Sequence, residues 1–231
     1  MPDRSSCPTA RLPAALALVA ALAPTSAHAN QRLDDFAVPF PPITLPGTTA
    51  PGPYLWAGRL GADRVDQMSA TNPIAIAGRT TTRVTSVKET TGTGQVIATL
   101  DGHGVLDYAT GPGPSGSLTL EYGPRASSPQ DLHLDLSGDG ATAFTTDLVG
   151  DLDASRGRTV ALTVTVRSGT TTASCTRTLG ADGLVRVPFS CFSPAIAFTR
   201  IDYVKLVFDA SAQWGIDFDL VGGIATAGSP R

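Results

Sequence analysis

Val160-Ala161-Leu162-Thr163-Val164-Thr165-Val166-Arg167 alternates large apolar residues with small or polar ones. A period of two places Val160, Leu162, Val164 and Val166 on one face of an extended chain and the threonines with Arg167 on the other, as in a strand with one buried and one solvated face. The pattern returns on either side. Leu132, Leu134 and Leu136 alternate with Asp131, His133 and Asp135, Val204, Leu206 and Phe208 with Lys205 and Val207, and Ile216, Phe218 and Leu220 with Asp217 and Asp219. Weaker strand signals cover 82–87, 95–100, 105–109, 117–122, 143–148, 173–179 and 184–189. Turn chemistry separates them: Gly92-Thr93-Gly94, Gly111-Pro112-Gly113-Pro114, Ser137-Gly138-Asp139-Gly140, Ser168-Gly169 and Ala181-Asp182-Gly183. No window past residue 29 sustains a 3.6-residue period, and no fixed repeat marks a propeller or solenoid. The pattern therefore predicts an all-β fold, a two-sheet antiparallel sandwich of the jelly-roll kind. Leu132, Leu134, Leu136, Leu162, Val164, Leu206, Phe208 and Phe218 are expected to face inward.

The start of the chain reads as a secretory signal. Arg4 and Arg11 precede an apolar run from Leu12 to Ala23, and Ala27-His28-Ala29 offers small residues for cleavage before Asn30. The run is too short to span a bilayer, and no later stretch approaches that length. The expected organisation is a signal peptide at 1–29, a first strand at 33–38 and a proline-rich surface segment within 30–53, a β-sandwich at 54–224, and a flexible tail at 225–231. The formal charge is −3, and cleavage changes it to −4, with 15 basic against 19 acidic residues. That balance lacks the clustered Lys and Arg that nucleic acid or anionic lipid requires, so neither is expected as a partner. Export implies a periplasmic or extracellular protein. Of the cysteines, Cys7 leaves with the signal, and Cys175 and Cys191 form an even pair in an oxidising compartment. A disulfide between them closes a 16-residue loop worth roughly 3 kcal/mol. Two free buried thiols are the alternative.

Several short motifs carry a family resemblance. Leu33-Asp34-Asp35-Phe36, Asp131-Leu132, Asp147-Leu148, the Val160 to Val166 strand, Pro188-Phe189-Ser190-Cys191-Phe192 and the Ile201-Asp202-Tyr203-Val204 to Asp219-Leu220 ending follow in order. Together they resemble exported bacterial proteins with a galactose-binding-like jelly roll, many of which bear a sorting tail of the PEP-CTERM type. The resemblance implies the sandwich fold and leaves the activity open. After Ile224 this chain shows no hydrophobic span or basic stop, so release rather than anchoring is expected.

Candidate chemistry is sparse. Asp34 and Asp35 near the start and Asp217 and Asp219 near the end meet if the first and last strands pair, and four hard oxygen ligands suit a structural Ca²⁺. The same spacing also describes outward strand positions, and no cofactor is otherwise implied. His103, between two glycines, and His133, at an outward strand position, read as solvated residues. Ser115 lacks the strand-to-helix setting of a nucleophile elbow, and the two glutamates, Glu89 and Glu121, have no distinguishing context. No catalytic residue is assigned. Tyr54 and Trp56 emerge from the proline-rich segment, and Trp214 precedes the last strand, with Gln213, Asp209 and Arg200 as polar neighbours in the sequence. Aromatic rings stack on the apolar faces of sugars. Core packing of Trp56 and edge covering by Trp214 are the competing readings. The expectation is a secreted, non-catalytic module that binds a glycan or other surface polysaccharide or serves in a matrix, with a glycan-directed extracellular hydrolase as the alternative.

Overall fold

The computed structural model describes residues 31–44, 51–60, 63–123 and 132–228. The expected signal peptide and its cleavage point, Asp131 and residues 229–231 lie outside them. The strands are β1 (Arg32–Asp34), β2 (Ile43–Thr44), β3 (Pro51–Gly52), β4 (Tyr54–Leu60), β5 (Asp63–Val65), β6 (Gln67–Ile76), β7 (Arg79–Thr91), β8 (Gln95–Leu100), β9 (Val105–Thr110), β10 (Ser115–Tyr122), β11 (Ala141–Gly150), β12 (Val160–Ser168), β13 (Thr171–Leu179), β14 (Gly183–Pro188), β15 (Tyr203–Asp209) and β16 (Asp217–Gly228). Helical structure among the described residues consists of three single turns, Gly138–Gly140, Ala154–Arg156 and Phe189–Cys191. No helix is long and apolar enough to cross a membrane among these residues.

Two antiparallel sheets face each other. One holds eight strands in the order β14-β11-β16-β9-β8-β4-β5, with β1 added against β16. The other holds six in the order β13-β12-β15-β10-β7-β6. The expected two-sheet sandwich is what forms, and every residue predicted to face inward is buried. Physical periodicity explains why: each pairing, such as Leu120 with Leu206 and Leu206 with Val164, sets apolar residues side by side on the inner face. Tyr108 and Phe208 both pack against Phe218 in the core, their ring centroids 4.9 and 5.5 Å from its own. Cys175 and Cys191 form the expected disulfide, with Cα atoms 5.5 Å apart.

Three expectations are corrected. Leu132, Leu134 and Leu136 are buried but do not make a strand: His133 has φ of 48°, which breaks the extended path, and the segment bonds to Ile201, Asp202 and Phe198 instead of a neighbouring strand. The supposed tail begins later, because 225–228 continues β16 and pairs with Ala141, Ala143, Phe144 and Thr145. β4 and β6 carry weak or no alternation signal. Pro73 in β6 is tolerated because β6 is an edge strand, paired only with β7. Finally, the proline-rich start does not simply run over the surface. Leu33, Phe36 and Phe40 are buried in the core, so the segment plugs the space between the sheets.

Its docking depends on one close approach. Gly223 in β16 has φ of 91°, and any Cβ there would collide with the Asp34 carbonyl. With that contact open, Asp34 reaches Arg83, whose Nη1 donates to both carboxylate oxygens at 3.1 and 2.9 Å. The Tyr122 hydroxyl donates to Asp34 at 3.0 Å, and Arg83 Nη2 donates to the Val38 carbonyl at 2.6 Å. The Phe36 and Phe40 rings each lie 6.0 Å from the Arg83 guanidinium. A buried ion pair thus ties the N-terminal segment to the six-stranded sheet.

Candidate functional site

The four aspartates do not converge. β1 meets β16 at Ile224 and Ala225, five residues beyond Asp219, a distance of about 16 Å along the strand. Asp34 is committed to Arg83 and Tyr122, and Asp35 accepts the Ala37 N–H. Among the described residues no group of three or more His, Cys, Asp or Glu is arranged to hold a metal ion. Asp217 and Asp219 instead turn outward on the eight-stranded sheet, where Asp219 lies directly opposite Asp107 on β9. Burial, followed by the charges of Asp217 and Asp219, pushes the Asp107 carboxyl up to about 6. Asp217 and Asp219 are also raised, in both cases chiefly by burial.

The sign of this effect is testable. A carboxyl that holds its proton more tightly folded than unfolded costs stability as pH rises through about 6 and costs nothing below the ordinary value of 3.8. Asp107→Asn is expected to raise Tm near pH 7.5 by about 2 to 4 °C, equivalent to about 1 kcal/mol once solvent screening is discounted. Near pH 3 the variant and the parent should melt together. An equal gain at both pH values would place the cause in packing rather than charge.

Histidine placement is mixed. His103 is exposed in its turn beside Asp101, whereas His133 Nδ1 lies 2.9 Å from the Asp202 carboxylate, which also accepts the Gly169 N–H. This cluster fixes the 132–136 segment to the β15 approach. Ser115, seated at a bulge in β10, donates to the Ser211 carbonyl at 2.9 Å. That contact braces the loop after β15.

The aromatic candidates separate. Leu55 and Ala57 point into the core, so Tyr54 and Trp56 point to the outer face of the eight-stranded sheet. Trp56 sits opposite Ile97 but is only 4% exposed. Its ring is not a free platform, and Tyr54 is half-buried. Arg200 stands in the turn before β15, while Trp214 follows that strand. The seven residues of β15 put about 20 Å between them. The structure therefore does not bring Arg200 to Trp214.

Trp214 itself is 65% exposed, and its loop is pinned at several points. Gln213 Oε1 accepts the Thr159 N–H at 3.3 Å, and its own N–H donates to the Ala210 carbonyl at 3.1 Å. Arg158 bonds both to Asp151 and to the Gly215 carbonyl. Ile216 exchanges bonds with Thr110, giving 2.9 Å to its carbonyl and 2.9 Å from its own N–H to the Thr110 hydroxyl. Gln213 is thus a strut of the loop. Thr110 also lines a groove of about 350 Å³ with Arg59, Gln95, Ile97, Ala109 and Pro112. Trp214 is two residues from Ile216, a span of at most about 7 Å, so its backbone lies near the Thr110 end of that groove, although its ring is not part of the groove's lining. The signal for this arrangement in the sequence was Trp214 followed by glycine and an alternating strand; the groove itself depends on β4, β8 and β9 meeting.

No family model matches the chain, and no curated protein does. Among solved structures it is similar to the family 11 carbohydrate-binding module of the cellulosomal cellulase Lic26A-Cel5E of Clostridium thermocellum, with a TM-score of 0.36 and 13% identity over 87% of this chain and 96% of that one. The Clostridium thermocellum family 11 module in complex with a β-1,3-1,4-mixed-linked tetrasaccharide matches with a TM-score of 0.35 and 12% identity over 87% and 97% of the two chains. An agarase, AgWH50C, matches with a TM-score of 0.37 and 12% identity, covering 87% of this chain and 26% of that one.

Proposed function

We propose that the chain is an exported, non-catalytic module that binds a glycan along the Arg59 to Pro112 groove and against the Trp214 ring. The observation that carries this reading is the ring. A tryptophan left largely in water forgoes the burial its apolar surface would gain, yet here its loop is held by Arg158, Gln213 and Thr110 instead of being left loose. A rigid indole face suits the apolar face of a sugar ring, and its N–H suits a hydroxyl. Arg59 and Gln95 supply polar groups along the groove. Export is supported by the N-terminal leader and the Cys175–Cys191 disulfide.

A glycan array followed by calorimetry on the mature chain tests this. Trp214→Ala is expected to weaken the best ligand about 30-fold, or about 2 kcal/mol, with stability changed by less than about 0.5 kcal/mol because the ring buries little. Unchanged binding together with a stability loss of several kcal/mol would assign the ring to packing instead. Release of reducing ends without saturable retention would favour a glycan-directed hydrolase.

A further inference from the structure

The outer face of the six-stranded sheet holds a second groove. It measures about 190 Å³ and is lined by Gln67 of β6, Ser86 and Lys88 of β7, Ser117, Thr119 and Glu121 of β10, and Lys205 of β15. Every lining side chain is polar. The chain contains two lysines in all, Lys88 and Lys205. They stand 117 positions apart in sequence, and the β7-β10-β15 pairing brings both to this one depression. Two strand spacings across and four residues along the sheet separate their Cα atoms by about 16 Å, so the two ammonium groups flank the groove diagonally with hydroxyls between them.

The groove's single carboxylate is already engaged. The Tyr203 hydroxyl donates to Glu121 at 3.0 Å, and Lys205 Nζ lies 3.9 Å from its other oxygen. Lys88 faces only Gln67 and Ser117 across its two ladders, and among the described residues it has no carboxylate partner. The groove is therefore net positive on a protein whose formal charge is −3, while the outer face of the opposite sheet carries Asp107, Asp217 and Asp219. A compact ammonium is a point donor for carboxylate or sulfate oxygens, and serine, threonine and glutamine side chains both donate to and accept from sugar hydroxyls.

We infer that the Lys88–Lys205 groove is a binding site for an anionic polysaccharide, one bearing carboxylate or sulfate groups on a polyhydroxylated backbone, separate from the Trp214 groove on the other sheet. The overall negative charge disfavours indiscriminate polyanion adsorption, so retention of such a polymer must come from a local site.

The test uses the mature chain with polygalacturonate, dextran sulfate, unmodified dextran and a single-stranded oligonucleotide as probes. Polygalacturonate or dextran sulfate is expected to bind at least about tenfold more tightly than dextran, and more weakly as salt is raised. The arm that binds better identifies carboxylate or sulfate as the group recognised. Lys88→Gln with Lys205→Gln should remove most of that preference at unchanged Tm. Because no other lysines exist, acetylation should reproduce the loss, and bound polymer should protect both amines from it. Trp214→Ala should leave polyanion binding intact, which separates this site from the proposed glycan site. Equal binding of dextran and the charged polymers, wild-type affinity in the double variant, or oligonucleotide binding as tight as that of the charged glycans would overturn the inference.

Discussion

Replacing Arg83 with alanine is expected to destabilise the fold by about 3 to 5 kcal/mol, measured by urea denaturation. Arg83 is fully buried, and its ion-pair partner Asp34 is nearly so. The cost does not come from losing a strong attraction, since desolvation offsets much of any buried pair's Coulomb energy. It comes from what remains. Without the guanidinium, the Asp34 carboxylate keeps the Tyr122 hydroxyl and the Phe36 N–H but loses its counter-charge in an apolar setting formed partly by the Phe36 and Phe40 rings. The Val38 carbonyl loses its donor as well. Combining Arg83→Met with Asp34→Asn should recover a large part of the loss, because the stranded charge is gone. If the single variant costs less than about 1 kcal/mol, the N-terminal segment is not held by this pair.

Leu206→Ala should cost about 2 to 5 kcal/mol, toward the upper end. The side chain is 1% exposed on β15, which is flanked on both sides by β10 and β12, so its backbone is fixed by two ladders. It also borders a small apolar void of about 10 Å³ with Phe144, Leu162, Val185 and Ile224. Truncation enlarges a space that pinned strands cannot close, and the lost contacts are not replaced. Leu184→Ala is the matched comparison. That side chain is 65% exposed on an edge strand, and its loss should stay within about 0.5 kcal/mol. Similar costs at both positions would mean that inner-face burial is not what distinguishes them.

The residues at these two positions divide what the sequence determined from what only tertiary structure decided. Leu206 was legible. A period of two in Val204, Leu206 and Phe208 states which side of a strand is apolar, and apolar faces must meet, so strand, buried face and two-layer sandwich follow from local pattern alone. The disulfide was legible for a similar reason, since the expected export signal takes Cys7 with it and leaves two cysteines with one possible pairing. Arg83 was not legible. It sits in β7 among threonines with no local pattern that marks it for the core, and its burial depends on Asp34 arriving 49 positions away in sequence through the β1-β16 contact that Gly223 permits. The Leu132 to Leu136 alternation misled because burial was achieved by a bent segment whose bonds go to the 198–202 turn. The same limit governs the surface. Trp214 could be placed at a loop end from its neighbours, whereas the groove beside it and the convergence of Lys88 with Lys205 depend on which strands lie side by side. Alternation reports a face and says nothing of the neighbour; strand order is set by long-range pairing and by the packing of the two layers, and that is where the sites are assembled.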